Sequence, residues 1–526
     1  MYLKSNIVIE PLVMKWYAWS HLISPATLSR NIVGRHLRIM DSYIKAAEFH
    51  REAVKDPKML GGPFIDYKDD KTQEIEKLIE ETHTRQSKLI KLNHAFTELN
   101  ELLKNNAKGQ KLETLYELIP EPLKGLVELV YDVNNNPGFK IYERLLFQEY
   151  YDESVQSIAL WETNNDSRPF VLSTPRINND SVLFLDIPFS SPIIDKIAYS
   201  KRNSIDIEPI IAELGLTGQR KELFESLFSN ENPNQYQKYS GDRIRMRYFG
   251  HACILIETSD ISILVDPLIS YFGYMSEIDH FSDYDLPEVI DYVLITHNHQ
   301  DHILLETLLP LRHKIKNIIV PKSNRNSYLD PNLKLMFNHI GFNNVYELDE
   351  LEEINKNDCK IIGLPFMGEH SDLDIASKLC HFVQIGNFKL LFVEDSRIID
   401  SSVYERLQKT VGDVDVIFLG MECDGAPSSW LYGPLMFKKL EREYDQQRRL
   451  SGSDCDKGMS LINIFNPKEV YVYAMGMEPW CEFISSIKYT DVSNPIVESN
   501  RLIEICSQKG MIAERLYGEK EILYSK

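Results

Sequence analysis

Cysteine is absent from the first 252 of the 526 residues. The seven that follow, Cys253, Cys359, Cys380, Cys423, Cys455, Cys481 and Cys506, contain no Cys-x-x-Cys pair. An odd count without paired spacing excludes a disulfide framework or a zinc knuckle and fits a reducing, cytoplasmic environment. Long apolar runs are also missing: no uninterrupted stretch reaches the roughly 18 residues that a bilayer span needs. Near the start, Glu10, Pro11 and Lys15 break the apolar stretch after Lys4, so no export signal is expected. Positive charge is in short supply, with 58 Lys and Arg against 78 Asp and Glu and a net charge of −20. Such a surface repels phosphate backbones and anionic lipid, which argues against nucleic acid and membrane as partners. There is no fixed-period repeat and no low-complexity tract. Histidine stops early, since all 14 lie at or before His381.

What remains is an ordinary globular composition, 43% hydrophobic and 26% charged, in a chain long enough for roughly two to four domains at ~150 residues each. From Met40 to Leu129 the pattern is helical, with Ile75, Leu78 and Ile79, then Leu89, Leu92 and Phe96, at helix spacing. A turn cluster at Asn134-Asn135-Asn136-Pro137-Gly138 follows. Short strands are predicted at Val171–Ser173 and Val182–Leu185, and a helix from Gln219 to Phe228. The polar stretch Ser229–Gln235 reads as a linker. Beyond it strands dominate: Arg243–Phe249, Cys253–Glu257, Ile261–Val265, Tyr292–Thr296, Asn317–Val320, Lys389–Val393, Val414–Leu419 and Val470–Tyr473. The charged segment Lys438–Arg449 suggests a solvated helix and Ser451–Asp456 its loop, with a mobile flap over a site as the lesser alternative. Gly61-Gly62-Pro63 is a turn rather than a phosphate loop, because no Lys-Ser/Thr follows. Trp16 to Trp19 read as core or a dimer contact, and Cys423 as a small buried residue.

Chemistry concentrates at His297-Asn298-His299-Gln300-Asp301-His302, directly after the apolar run Val293-Leu294-Ile295. Three imidazoles and a carboxylate at the end of a buried strand form a dense set of N and O donors. His297 and His299 can face one metal while Asp301 and His302 face a second about 3.5 to 4 Å away, the separation two-metal sites use.

His-x-His-x-Asp-His after a strand, preceded by Gly250-His251-Ala252 and Leu264-Val265-Asp266-Pro267, resembles the metallo-β-lactamase superfamily. The resemblance implies an α+β chain whose C-terminal part, residues 241–526, is an αββα sandwich with a dinuclear metal site at one edge. A mixed helical and strand domain, residues 1–240, for dimer or partner contacts, precedes it. Asp395, at the end of Leu390–Val393, fits the bridging aspartate of that superfamily. Its usual terminal histidine has no counterpart, because none follows His381. Gly368-Glu369-His370 offers a Glu and a His side by side for the middle ligand. With Glu369, three carboxylates (Asp301, Glu369, Asp395) would join three histidines. Hard anionic oxygens of that number favour iron that reaches the ferric state over zinc.

Together with Glu10-Pro11-Leu12, Trp16-Tyr17-Ala18-Trp19 and Lys58–Phe64, this departure resembles the di-iron β-hydroxylases of nonribosomal peptide synthesis, of the chloramphenicol-pathway type, over essentially the whole length. That resemblance implies an oxygen-dependent dinuclear iron monooxygenase of antibiotic biosynthesis. It would hydroxylate the β-carbon of an aminoacyl group carried on phosphopantetheine by a synthetase carrier domain, as a homodimer served by an external electron donor. Its cofactors would be two iron ions, with dioxygen as co-substrate. His297, His299 and Glu369 would hold one iron, Asp301 and His302 the other, with Asp395 between them. His370 would stand behind Glu369, and Glu422 would hold a substrate ammonium or remain a solvated or capping carboxylate. The rival expectations are a dinuclear zinc hydrolase acting on an ester, thioester or lactone, a flavodiiron-type reductase lacking its flavodoxin unit, and an inert carrier-binding protein.

Overall fold

The computed structural model describes residues 1–165, 168–233, 236–273, 278–324 and 326–525. In the C-terminal half the strands behave as their alternation demands. Ile254 and Ile256 of the strand Ile254–Glu257 enter one apolar core, and Leu255 enters another. This is the two-residue period of a strand buried on both faces.

Two seven-stranded sheets result. The first runs in the order Val345–Leu348, Ile318–Pro321, Tyr292–Leu294, Ser262–Val265, Ile254–Glu257, Ile244–Tyr248, Lys520–Tyr524. Its first four strands are parallel and the rest antiparallel. The second runs Glu353–Lys356, Cys359–Leu364, Cys380–Ile385, Phe388–Glu394, Val416–Gly420, Glu469–Tyr473, Ile512–Arg515. Ile256, Val265 and Leu294 of one sheet meet Val383, Phe392 and Phe418 of the other, and the last two rings stack at 4.9 Å. Helices Ser401–Val411, Cys455–Phe465 and Asn494–Gln508 cover the outer face of the second sheet through Leu407, Ile462 and Leu502. This is an αββα sandwich.

The outer face of the first sheet is covered by helices Leu305–Leu311 and Leu333–His339 and by the N-terminal half, all within one apolar cluster. That half holds a four-stranded sheet, Trp16–Tyr17, Ile7–Val13, Gln156–Glu162 and Leu183–Leu185. Helices Leu37–Ala53, Thr72–Arg85 and Ser87–Asn106 bury Ile75, Leu78, Leu89, Leu92 and Phe96, as their spacing predicts. Glu10, inside the strand Ile7–Val13, is almost fully buried, paired with Arg176 at 2.6 Å and bonded by Trp161 Nε1 at 3.1 Å. Trp16 and Trp19 are core residues. No helix among the described residues is long and apolar enough to cross a membrane.

Several local expectations change. Val171–Ser173 is a turn rather than a strand; its backbone and hydroxyl are satisfied one by one, Val171 N by Phe483 O at 3.0 Å and Ser173 Oγ by Phe64 O at 2.7 Å, so no ladder is needed. Helix survives in Lys438–Arg449 only at Arg442–Gln447, because Arg449–Leu450 pairs as a strand with Ala426–Pro427. Gly425 makes this possible: at φ +58, a Cβ there would strike the Leu450 carbonyl. The loop after it is not solvated, since Ser451 and Ser453 are buried and Ser453 Oγ donates to Ser396 O at 2.9 Å. In the linker, Ser229 pairs with Tyr2, while Asn234 and Gln235 lie outside the described residues. Cys423 is half-exposed; the other six cysteines are buried free thiols.

Glu143 joins the two halves. Its carboxylate accepts from Asn332 N at 3.1 Å, at the cap of helix Leu333–His339, and from Ser24 Oγ at 3.3 Å. Burial pushes its carboxyl from 4.5 up to about 7 despite these bonds. The folded chain therefore binds more protons than the unfolded one between those values, and stability falls as pH rises through that window. A Glu143→Gln variant removes this term. Its stability relative to the native chain, from denaturant unfolding, is expected to rise by on the order of 2 kcal/mol between pH 5 and pH 8; a pH-independent difference would contradict the assignment.

Candidate metal centre

The site forms at the carboxyl ends of the parallel strands, where open α/β sheets place their ligands. Ser262–Val265 delivers Asp266, and Tyr292–Leu294 runs on into Thr296 and His297. Asp266 is fully buried; its Oδ1 accepts from Thr296 N at 2.8 Å, and its Oδ2 meets Thr296 Oγ1 and His302 Nδ1, the latter at 2.7 Å. That bond fixes the ring so that His302 Nε2 lies 3.0 Å from Asp395 Oδ2. Asp395 comes from the end of Phe388–Glu394 in the second sheet, so the centre spans both sheets.

Three groups of donor atoms, each within 4.8 Å, emerge: His297, His299 and Glu369; His297, His302 and Asp395; and His251, Asp301 and His302. His299 Nδ1 is 2.9 Å from Glu369 Oε1, and His251 Nε2 is 3.4 Å from Asp301 Oδ2. His370 stacks on His299 at 4.5 Å, its Nδ1 2.9 Å from Glu369 Oε2, and belongs to none of the three groups. Glu422 is also outside them. It lines the same cavity, accepts from Gly425 N at 2.9 Å, and is pushed by burial up to about 8.

These residues fit metal ions. His297 Nε2, Asp395 Oδ1 and His251 Nδ1 are buried without a hydrogen-bond partner. Each orphaned polar atom costs about 1–3 kcal/mol, and so many at one point are tolerable only where a cation takes their lone pairs. The backbone is also strained toward this point: His251, Asp266, Glu369, Glu394 and Ala474 all have positive φ, a conformation non-glycine residues adopt where a site demands it.

The structure thus brings together all six predicted metal donors and places Glu422 beside them. Two contributors were not picked out from the sequence. His251 was noted only as part of a motif, yet it supplies an imidazole from upstream that is missing after His381. It sits in the turn between Ile244–Tyr248 and Ile254–Glu257, behind Gly250, where a Cβ would lie 2.8 Å from the Trp480 ring. Tyr432, whose hydroxyl is 2.8 Å from His299 Nε2, carries no sequence signal, being 133 residues away.

The cavity above these donors measures about 830 Å³. Part of its wall comes from the N-terminal half, through Met59–Pro63, Phe170 and Leu172.

Sandwich and donors together define a dinuclear metal protein of the β-lactamase superfamily, and residues 245–419 match the model of the beta-lactamase superfamily domain. Residues 2–233 match the diiron non-heme beta-hydroxylase N-terminal domain. The chain is 37% identical, over 98% of its length and 98% of the relative's, to the 4-amino-L-phenylalanyl-[CmlP-peptidyl-carrier-protein] 3-hydroxylase of Streptomyces venezuelae. The crystal structure of CmlA, a diiron beta-hydroxylase from Streptomyces venezuelae, superposes with a TM-score of 0.93 at 37% identity, covering 99% of both chains. The chain belongs to the CmlA-type diiron non-heme β-hydroxylase family, and its cofactor is a pair of iron ions.

Partners that orient ligands tune metal affinity. An Asp266→Asn variant, unable to accept from both Thr296 and His302 as a carboxylate, is expected to lose iron to a chelator at about 10- to 100-fold lower concentration. Iron retained as in the native chain would show that Asp266 does not set the His302 ring.

Proposed function

We propose that this chain is an oxygen-dependent monooxygenase hydroxylating the β-carbon of an aminoacyl group held as a thioester on the phosphopantetheine arm of a nonribosomal peptide synthetase carrier domain. The observation that carries this reading is the carboxylate-rich donor set, Asp301, Glu369 and Asp395 beside His297, His299 and His302, at the floor of a cavity large enough for an aminoacyl arm. His297, His299 and Glu369 would hold one iron, Asp301 and His302 with His251 the other, and Asp395 would be shared by the two groups. When bound, two iron ions would supply the redox chemistry that activates dioxygen, with their electrons restored by an external donor. One oxygen atom enters the C–H bond; the other leaves as water with two protons and two electrons from an external donor.

The protein's own groups position and protect. Tyr432 steadies His299, Asp266 steadies His302, and His370 packs against Glu369. Glu422 keeps part of its surface open to the cavity while protein surrounds it. The positive charge of an incoming ammonium favours ionisation of the Glu422 carboxyl, whose proton leaves to solvent, and the carboxylate then pairs with the ammonium and turns the β-carbon toward the metal site. Met59–Pro63 and Phe170 of the N-terminal half form part of the cavity wall. The chain divides near residue 240 into a partner-contacting part and a catalytic part, and functions as a cytoplasmic homodimer.

Metal analysis and visible spectra of the purified protein, before and after reduction under oxygen, test this reading. Two iron ions per chain and an oxygen-sensitive spectrum are expected; two zinc ions with thioesterase activity would replace it with the hydrolase. Glu369→Ala is expected to bind less iron, and full iron content in that variant would move the ligand to His370. Glu422→Gln is expected to raise KM for the carrier-held substrate about tenfold at unchanged iron content, the scale of one charged hydrogen bond; an unchanged KM would remove Glu422 from substrate binding.

A further inference from the structure

Away from its metal-facing floor, the cavity is richer in cations than the chain as a whole. Apart from the metal-facing carboxylates and Glu422, its lining holds four cations, Arg35, Lys58, Arg442 and Arg449, and a single carboxylate, Asp56. In a protein of net charge −20, none of the four has a carboxylate partner among the described residues. Arg35 is buried with its Nη2 on the backbone carbonyls of Trp430 at 2.5 Å and Leu431 at 2.8 Å. Arg449 is held by the carbonyls of Asp424 at 2.7 Å and Gly425 at 3.0 Å and by Gln446 Oε1 at 2.8 Å. Carbonyls hold these guanidinium groups in place without neutralising them.

Lys58 and Arg442 differ from those two. Both are exposed, and neither side chain makes a hydrogen bond or ion pair among the described residues. They come from opposite halves of the chain, Lys58 from the turn before Gly61 and Arg442 from the start of helix Arg442–Gln447. The fold brings these two exposed residues to the same cavity that is lined by the buried His299, Glu369 and Asp395.

We propose that Lys58 and Arg442 clasp the phosphate of the phosphopantetheine arm. This rests on the function proposed above: when the thioester end of the arm reaches the metals, its phosphate, which joins it to the carrier, lies at the cavity mouth. A tetrahedral anion suits this pair, since Arg presents a planar fork of donors and Lys a mobile point charge. Arg449 and Arg35 extend the positive potential inward, drawing the arm toward the floor. The clasp also serves selection, because a free amino acid lacks the phosphate and the arm that carries it.

The test needs no knowledge of the amino acid. Binding of 4′-phosphopantetheine and of pantetheine to the full-length, iron-loaded protein is measured by isothermal titration at low and at high salt. The native chain is expected to bind the phosphorylated arm about tenfold more tightly, an advantage of ~1.4 kcal/mol, and to lose much of that preference at high salt as the charges are screened. The double variant Lys58→Ala/Arg442→Ala is expected to bind both compounds alike, with thermal midpoint and iron content unchanged because both side chains are exposed. Equal binding by the native chain, or a preference kept by the double variant, would overturn the inference. Hydroxylation of a carrier-held group without any phosphate preference would overturn this inference alone and leave the proposed function standing.

Discussion

Burying like charges is the constraint on which the rest of this structure depends. Asp301, Glu369 and Asp395 converge within a region whose nearest compensation is a set of imidazoles, several of them with unsatisfied nitrogens. Unpaired buried charges cost several kcal/mol each, so the arrangement demands cations and a scaffold stiff enough to hold the donors until they arrive. Thr296, Asp266 and His302 provide that stiffness at one side; Tyr432 and His370, around His299 and Glu369, provide it at the other. The positive φ values at His251, Asp266 and Glu369 are held in place by the two sheets beneath them.

The same constraint explains why the N-terminal half is built into the sandwich. Residues of the N-terminal half, among them Met59, Leu60, Pro63 and Phe170, line the cavity beside residues of the sandwich. The N-terminal half packs on the first sheet through a shared apolar core, and Arg168 grips Glu306 with paired bonds of 2.7 and 3.0 Å while both side chains are almost fully buried. Arg312 ties Asp195 in the same manner. Rigidity of this kind lets residues as far apart in sequence as Lys58 and Arg442 share one cavity rim.

Legibility in the sequence followed locality. Strands such as Ile254–Glu257 and Phe388–Glu394 were readable because apolar residues buried on both faces leave a compact signature, and His297 to His302 because four donors lie within six positions. Asp395 and Glu369 became readable only through a resemblance, since a lone Asp at a strand end has no distinguishing chemistry. His251 and Tyr432 stayed hidden for the same reason, being brought to the site by sheet pairing and by a helix 133 residues beyond His299. Val171–Ser173 was misread because Leu172 lines the cavity and Val171 N bonds to Phe483 O instead of to a ladder. The charged segment at Lys438–Arg449 resembled a solvated surface helix, although Arg442, Arg449 and Leu450 line the cavity.

The central claim is that buried carboxylates and imidazoles hold iron for oxygen insertion rather than zinc for hydrolysis. A single turnover of the reduced, iron-loaded protein with a carrier-held aminoacyl thioester under isotopically labelled dioxygen tests it most directly. The account predicts one labelled oxygen atom on the β-carbon with the thioester intact. An unlabelled hydroxyl group, or amino acid released from the carrier without oxygen incorporation, would contradict it.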